Sequence, residues 1–143
     1  MAEIEAGQYL KRELTKIACG TYQGETDLAK LVAEWKTPWG IELCKKCQFP
    51  TAEFFERYEN ELLSHGVFRN QKGMQLYNRD VVLVNSEAII EYALPNRAHT
   101  VLLYHGSTAV IKATVCSVVK VYNITQDNKV YIDSSDNATV ILR

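Results

Sequence analysis

From residue 80 onward the chain alternates short apolar runs with small polar turns, and the alternation returns about every ten positions. Asn85-Ser86-Glu87-Ala88 leads into Ile89-Ile90, and Gly106-Ser107-Thr108 into Ala109-Val110-Ile111. Gln126-Asp127-Asn128-Lys129 leads into Val130-Tyr131-Ile132, and Asp136-Asn137-Ala138-Thr139 into Val140-Ile141-Leu142. Val, Ile, Tyr and Thr dominate the runs, and such side chains fit a pleated, half-buried surface. The pattern predicts seven short strands, over residues 80–84, 88–94, 100–104, 109–115, 118–122, 129–132 and 139–142.

Two architectures satisfy this spacing. In a β-solenoid each run is one face of a coil and stacks in parallel on the run two phrases later; in an antiparallel sandwich each turn reverses the chain. The nearly constant step favours the solenoid. So do turns built on Asn, Ser, Asp and Thr without the Asn-Gly or Asp-Gly signal of tight hairpins. A solenoid of about three coils is expected, with the antiparallel β-sandwich as the alternative.

The first half of the chain has a different period. Ile4, Tyr9, Leu10, Leu14 and Ile17 recur at helical spacing and predict a helix over 3–18 that stops at Gly20. A second helix, starting at Glu25 or Thr26, carries Leu28, Leu31, Val32 and Trp35 on one face. Thr37-Pro38 ends it, because a residue before proline is pushed out of the α region. A third helix over 38–47 carries Ile41, Leu43 and Cys44. A fourth begins with Thr51 as N-cap, buries Phe54, Phe55, Tyr58 and Leu62, and stops near His65-Gly66. The turn-like Asn70-Gln71-Lys72-Gly73 marks the boundary. The expected fold is therefore α+β: a helical head of three or four helices over 1–73, then a β-rich repeat tail over 74–143.

Composition removes several function classes. The net charge is −1 over 143 residues, which offers no basic excess for nucleic acid or an anionic membrane surface. No apolar run approaches a membrane span, and the acidic start Met1-Ala2-Glu3-Ile4-Glu5 lacks the order of a secretory signal. A cytoplasmic location is expected, with association with a virion as the alternative. The four cysteines, Cys19, Cys44, Cys47 and Cys116, suit reduced core residues better than a disulfide scaffold.

Candidate chemistry is sparse. The stretch from Ile41 to Phe54 scans like a helix-turn-helix, but its second helix offers Glu53, Glu56, Glu59 and Glu61 against the single Arg57, which a DNA backbone would repel. Cys44 and Cys47 form a lone Cys-x-x-Cys. Half a zinc site of this kind would need further ligands, with His65 as the leading candidate and Cys19, Cys116, His99 and His105 behind it. On a helix the two sulfurs share one face and can simply line a core. His99 and His105 flank a strand six positions apart, a spacing that puts both on one side of it. Asp127, Asp133, Asp136 and Asn137 sit in turns where short polar side chains bond their own backbone. No phosphate loop or nucleophile elbow is present, and no cofactor is expected.

Three stretches carry a family resemblance: Ile41-Glu42-Leu43-Cys44 to Phe49-Pro50, Leu63-Ser64-His65-Gly66-Val67-Phe68, and the Asp-Asn-Ala-Thr-Val phrase from Asp136 to Val140. Over residues 38–143 the chain resembles uncharacterised small bacterial and phage-encoded proteins in which a helical head precedes a short β-solenoid. The resemblance implies the fold and transfers no functional residue.

These readings converge on a non-enzymatic structural or protein-binding module, such as a phage or mobile-element accessory protein. Its partner surface is expected at Tyr92, Tyr104, Tyr122 and Tyr131, where strand tyrosines offer rigid amphipathic contacts. The apolar run Val140-Ile141-Leu142 closes the repeat without a cap, so a homo-oligomer, dimer or trimer, is expected to meet there. The alternative function is a metal-dependent or redox protein built on Cys44 and Cys47.

Overall fold

Polar caps and proline set the helix boundaries of the head. The computed structural model describes residues 2–17 and 27–143; the expected stop at Gly20, the starts at Glu25 or Thr26, and Cys19 lie outside the described residues. α1 (Ala2–Ile17) buries Ala6, Leu10 and Leu14 on one stripe. α2 (Leu28–Trp35) starts where the Asp27 carboxylate accepts the Lys30 backbone N–H, satisfying one of the orphan donors of the first turn. α3 (Pro38–Cys47) has Thr37 in the same role toward Gly40, with Pro38 in the first turn where its missing N–H costs nothing. It ends at Gln48, which takes a left-handed conformation.

The expected fourth helix is two helices. α4 (Ala52–Arg57) is capped by Thr51 as anticipated, but α5 (Glu59–Leu63) restarts after Tyr58, whose backbone leaves the helical region. The Tyr58 ring is wedged against Tyr9 and Phe54, at centroid distances of 5.8 and 5.3 Å, and this packing overrides local propensity. At the centre of the head, Trp35 meets Phe49, Phe54 and Phe55 edge-on at 6.0–6.4 Å, the arrangement that ring quadrupoles favour.

The head and tail are separate compact units, Met1–His65 and Gly66–Arg143. The boundary lies earlier than the 70–73 turn suggested. The reason is that β1 (Val67–Arg69) already pairs with β3 (Val81–Val84), across β2 (Met74–Tyr77). After these come β4 (Glu87–Tyr92), β5 (Ala98–Tyr104), β6 (Thr108–Ala113), β7 (Val118–Asn123), β8 (Lys129–Ser134) and β9 (Thr139–Leu142).

Every strand pairing in the tail is parallel. The odd strands form one sheet in the order β1-β3-β5-β7-β9 and the even strands a second, β2-β4-β6-β8. This is a two-sheet β-solenoid, and the antiparallel sandwich is excluded. The ten-residue phrase is half a coil. Val81 faces Val101, Ala98 faces Val118 and Val118 faces Thr139, so full coils advance by 20 or 21 residues. About three such coils follow a shorter first one, in which Val67 faces Val82.

Stacking in register turns the sequence repeat into columns of like side chains. Between the sheets, Leu76, Ile90, Ile111 and Ile132 make one column, and Val81, Val101, Val121 and Leu142 another. Small residues sit beside large ones, as in the column Met74, Ala88, Ala109 and Val130. Within the central coils these aliphatic columns are buried, and burial of this kind supplies most of the stability of a repeat fold, each coil resting on its neighbours.

Candidate functional site

The polar turns of the repeat are structural. Ser86 and Ser107 occupy the same corner of successive coils, and Asn128 takes the equivalent place in the next. The Ser107 hydroxyl accepts the Ser86 N–H and donates to the Tyr104 carbonyl. Asn128 repeats the device with its amide: Oδ1 accepts the Ser107 N–H, while Nδ2 donates to the Leu103 and Thr125 carbonyls. Asp127 accepts a hydrogen bond of 2.6 Å from the Thr125 hydroxyl, which holds its carboxyl below the usual carboxylate range. Ser107 and Asn128 thus stitch neighbouring coils together, whereas the turn phrases suggested only bonds of short polar side chains to their own backbone.

The candidate ligands are scattered. Cys44 is buried and Cys47 is exposed, so the two thiols do not share the face that their spacing suggested. His65 lies in the head with Nε2 2.7 Å from Glu3 Oε1. Among the described residues, no three His, Cys, Asp or Glu side chains gather into a group that could hold a metal ion. His99 and His105 do not share a strand face either. β5 ends at Tyr104, and His105 turns the corner in a left-handed conformation. His99 is buried beside Tyr92, with ring centroids 4.9 Å apart and its Nδ1 3.7 Å from Asp80 Oδ1.

Of the four strand tyrosines expected at a partner surface, two are interior. Tyr92 packs in the solenoid core and donates its hydroxyl to the Arg79 carbonyl at 2.8 Å. Burial, reinforced by the Asp80 carboxylate and opposed by Arg79, pushes its phenol well above the ordinary range. Tyr104 is completely buried, because β5 is apolar on both faces, as strands of parallel sheets commonly are. Tyr122 is half-buried and Tyr131 is open to solvent. Reading exposure from the residue type failed at Tyr92 because it stands on the inward face of an alternating strand, and at Tyr104 because β5 is buried on both faces.

Two surfaces of the tail stand out once these residues are placed. The first is the edge formed by β8 and β9, which close the two sheets. In a parallel ladder successive residues point their peptide groups to opposite neighbours. Lys129 donates back to Ser107, and Thr139 and Arg143 donate back to Ser117 and Val121. The peptide groups of Val130, Ile132, Val140 and Leu142 therefore face away from the coil already formed. The second surface is the outer face of the even-numbered sheet. There Ile89, Val110 and Tyr131 form a column beside Glu91, Lys112 and Asp133. Tyr77, exposed at the far end of this face, was missed in the sequence because β2 was not recognised. The period-two alternation of Met74-Gln75-Leu76-Tyr77 is the signal that could have found it.

No helix among the described residues is long and apolar enough to cross a membrane. Comparison with known protein families, with curated proteins and with solved structures finds no match to this chain.

Proposed function

We propose that this protein is a non-enzymatic structural and protein-binding module that associates with a second copy of itself through the β8–β9 edge of its solenoid. The observation that supports this reading is a loss of burial at constant register. Ile111 is 0% exposed and its column neighbour Ile132 is 44% exposed; Val121 is 0% exposed and its neighbour Leu142 is 46% exposed. Positions that form the core in one coil are open in the next.

The same edge presents unpaired peptide groups and inward-facing apolar side chains together. Proteins that avoid edge pairing place proline or inward charges on such strands. β8 and β9 carry neither: their charged residues, Lys129 and Asp133, lie on the outer face. A second copy related by a two-fold axis offers a complementary edge, because an isologous contact brings the same strand against itself in antiparallel ladder geometry. Ile141, which pairs with the exposed Lys120 column, would flank the contact, with Val140 and Leu142 inside it. The resemblance over residues 38–143 adds an accessory role in a phage or mobile element to the proposal.

Sedimentation velocity over a range of protein concentrations tests this reading. The wild type is expected to be a dimer, and the double variant Ile132→Lys/Leu142→Glu a folded monomer. A wild type that stays monomeric while the amides of β8 and β9 resist hydrogen exchange would sink the proposal, as would a double variant that still dimerises.

A further inference from the structure

Side chains alternate along β8. Val130 and Ile132 stack on Ala109 and Ile111 and face inward, while Lys129, Tyr131 and Asp133 stack on Thr108, Val110 and Lys112 and face outward. Lys129 and Asp133 are exposed, and neither makes an ion pair with a described residue of its own chain. Tyr131 stands between them with 57% of its surface open. The open edge strand thus carries a positive charge, an aromatic ring and a negative charge, evenly spaced on one face.

Two constraints act when this edge meets a second copy of itself. Inward side chains must stay inward, so facing residues are both odd-numbered or both even. Peptide groups that point off the edge, those of Val130 and Ile132, must meet groups that do the same. In an antiparallel pairing of β8 with itself, a two-fold axis through Tyr131 satisfies both. Val130 then faces Ile132 of the second copy, Tyr131 faces its own counterpart, and Lys129 faces Asp133 of the second copy, twice by symmetry. An axis at Lys129 or Asp133 would set like charges opposite each other. An axis at Val130 or Ile132 would leave both charges without an opposite across the contact. Pairing β8 with β9 of the second copy gives Lys129 no acidic residue, since β9 is Thr-Val-Ile-Leu.

The rest of the edge agrees with this register. Glu91, Lys112 and Asp133 alternate in sign along one outer column, and Lys129 of the second copy continues the alternation across the axis. In β9 an axis at Ile141 sets Val140 opposite Leu142, both inward. Tyr131 and Ile141 each lie five residues from Asp136 at the corner between the strands, which allows one axis to serve both. Resting on the assembly reading above, we propose that the two-fold axis of the dimer passes through Tyr131, and that Lys129 and Asp133 select a second copy of this chain as the partner. Their facing positions are the non-hydrogen-bonded ones, where Cα atoms approach to about 4.5 Å and side chains interact most. A foreign edge without the complementary charge order is disfavoured at both ends of the strand. Because the pairs are exposed, the contact weakens as ionic strength rises.

Charge exchange in the full chain tests the proposal, with circular dichroism to verify each fold. In sedimentation velocity Lys129→Asp and Asp133→Lys should each dimerise about tenfold more weakly than wild type, because each sets two like-charge pairs across the axis. Lys129→Asp/Asp133→Lys should recover the wild-type affinity, and an equimolar mixture of the two single variants should form heterodimers in preference to either homodimer. In a background with the exposed thiols removed by Cys47→Ser/Cys116→Ser, copper–phenanthroline oxidation should link Tyr131→Cys into a disulfide dimer and leave Asp133→Cys unlinked, since only a residue on the axis faces itself. Single variants as tight as wild type, no heterodimer preference, or linkage at position 133 instead of 131 would overturn the register while leaving assembly through the edge standing. A wild type that is monomeric would overturn both.

Discussion

The Ser107 hydroxyl oxygen lies 3.2 Å from the backbone nitrogen of Ser86 and accepts its hydrogen, one coil back along the solenoid. Both serines are buried. Removing the hydroxyl leaves a donor inside the fold without a partner, which costs about 1–3 kcal/mol. Ser107→Ala should therefore lower the urea midpoint by an amount corresponding to about 2 kcal/mol, whereas Thr108→Ala, whose side chain points outward, should change it by less than about 0.5 kcal/mol. Equal effects of the two substitutions would refute a role for the serine ladder.

One coil corner is strained. Val115 and Cys116 both adopt left-handed backbone, with φ of 53° and 57°. A β-branched residue tolerates this conformation poorly, at about 1–2 kcal/mol. The next coil places Asp136 and Asn137 at the same corner with φ of 51° and 61°, residue types that accept it. Val115→Asn is expected to stabilise the protein by about 1 kcal/mol, read as a higher urea midpoint with unchanged slope. A destabilised variant would show that the exposed valine side chain does more than tolerate the turn.

In the head, Gly40 lets α3 start close to the end of α2. A Cβ at this position would lie 2.0 Å from the Glu34 carbonyl oxygen and 2.9 Å from Trp35 Cα. Both are backbone atoms, so no side chain can swing away. Gly40→Ala should destabilise the head by about 3 kcal/mol, the upper range for overpacking. Thermal unfolding monitored by tryptophan fluorescence would register it through Trp35. Ala29→Gly, on an exposed helical position, serves as a mild control of about 1 kcal/mol.

Two groups of the tail give its stability a pH dependence whose sign follows from their surroundings. The phenol of Tyr92 titrates above its ordinary 10.0 in the fold, chiefly because it is buried and then because Asp80 is near. A group of this kind stabilises the protein below the unfolded value and ceases to do so as pH climbs past it. Stability should fall above pH 10, and Tyr92→Phe should flatten that slope. Asp127 is held below 3.8, first by the hydrogen bond from Thr125. Its contribution is present above 3.8 and is lost as pH falls through the depressed value; because the carboxylate is exposed, the acid slope should be shallow. Urea midpoints measured from pH 2 to 11 test both signs.

The separation of Cys44, Cys47 and His65 makes a concrete demand on composition. Elemental analysis of the purified protein should find far less than one zinc per chain, and Cys47→Ser should leave the unfolding midpoint within about 0.5 kcal/mol of wild type. One zinc per chain, removed together with stability by a chelator, would restore the metal-dependent reading.

Much of the architecture is local and could be read from residue order. Thr37 and Thr51 cap helices because a hydroxyl before a helical run satisfies a backbone donor three residues on, and both do so here. The ten-residue phrase marks strands and corners because β-branched runs extend and Asn, Ser and Asp turn. Two short strands escaped this reading. Val67–Arg69 is too brief to show a period, and Met74–Tyr77 lies directly behind a glycine that reads as a turn.

Burial was not local. Alternation along a strand shows that two faces differ, but not what lies against either of them. Tyr104 and Tyr131 look alike in sequence; one is enclosed because β5 is covered on both sides, and the other is exposed on an outer sheet face. Ile111 and Ile132 are the same residue at the same place in the repeat, yet only the first has a following strand beside it. Residue order by itself determined which segments extend, which coil and where the chain turns, because those depend on bonds and neighbours a few residues away. The tertiary structure alone decided the register of the stacked coils and which tyrosines are exposed, because both depend on contacts between residues 14 to 21 positions apart.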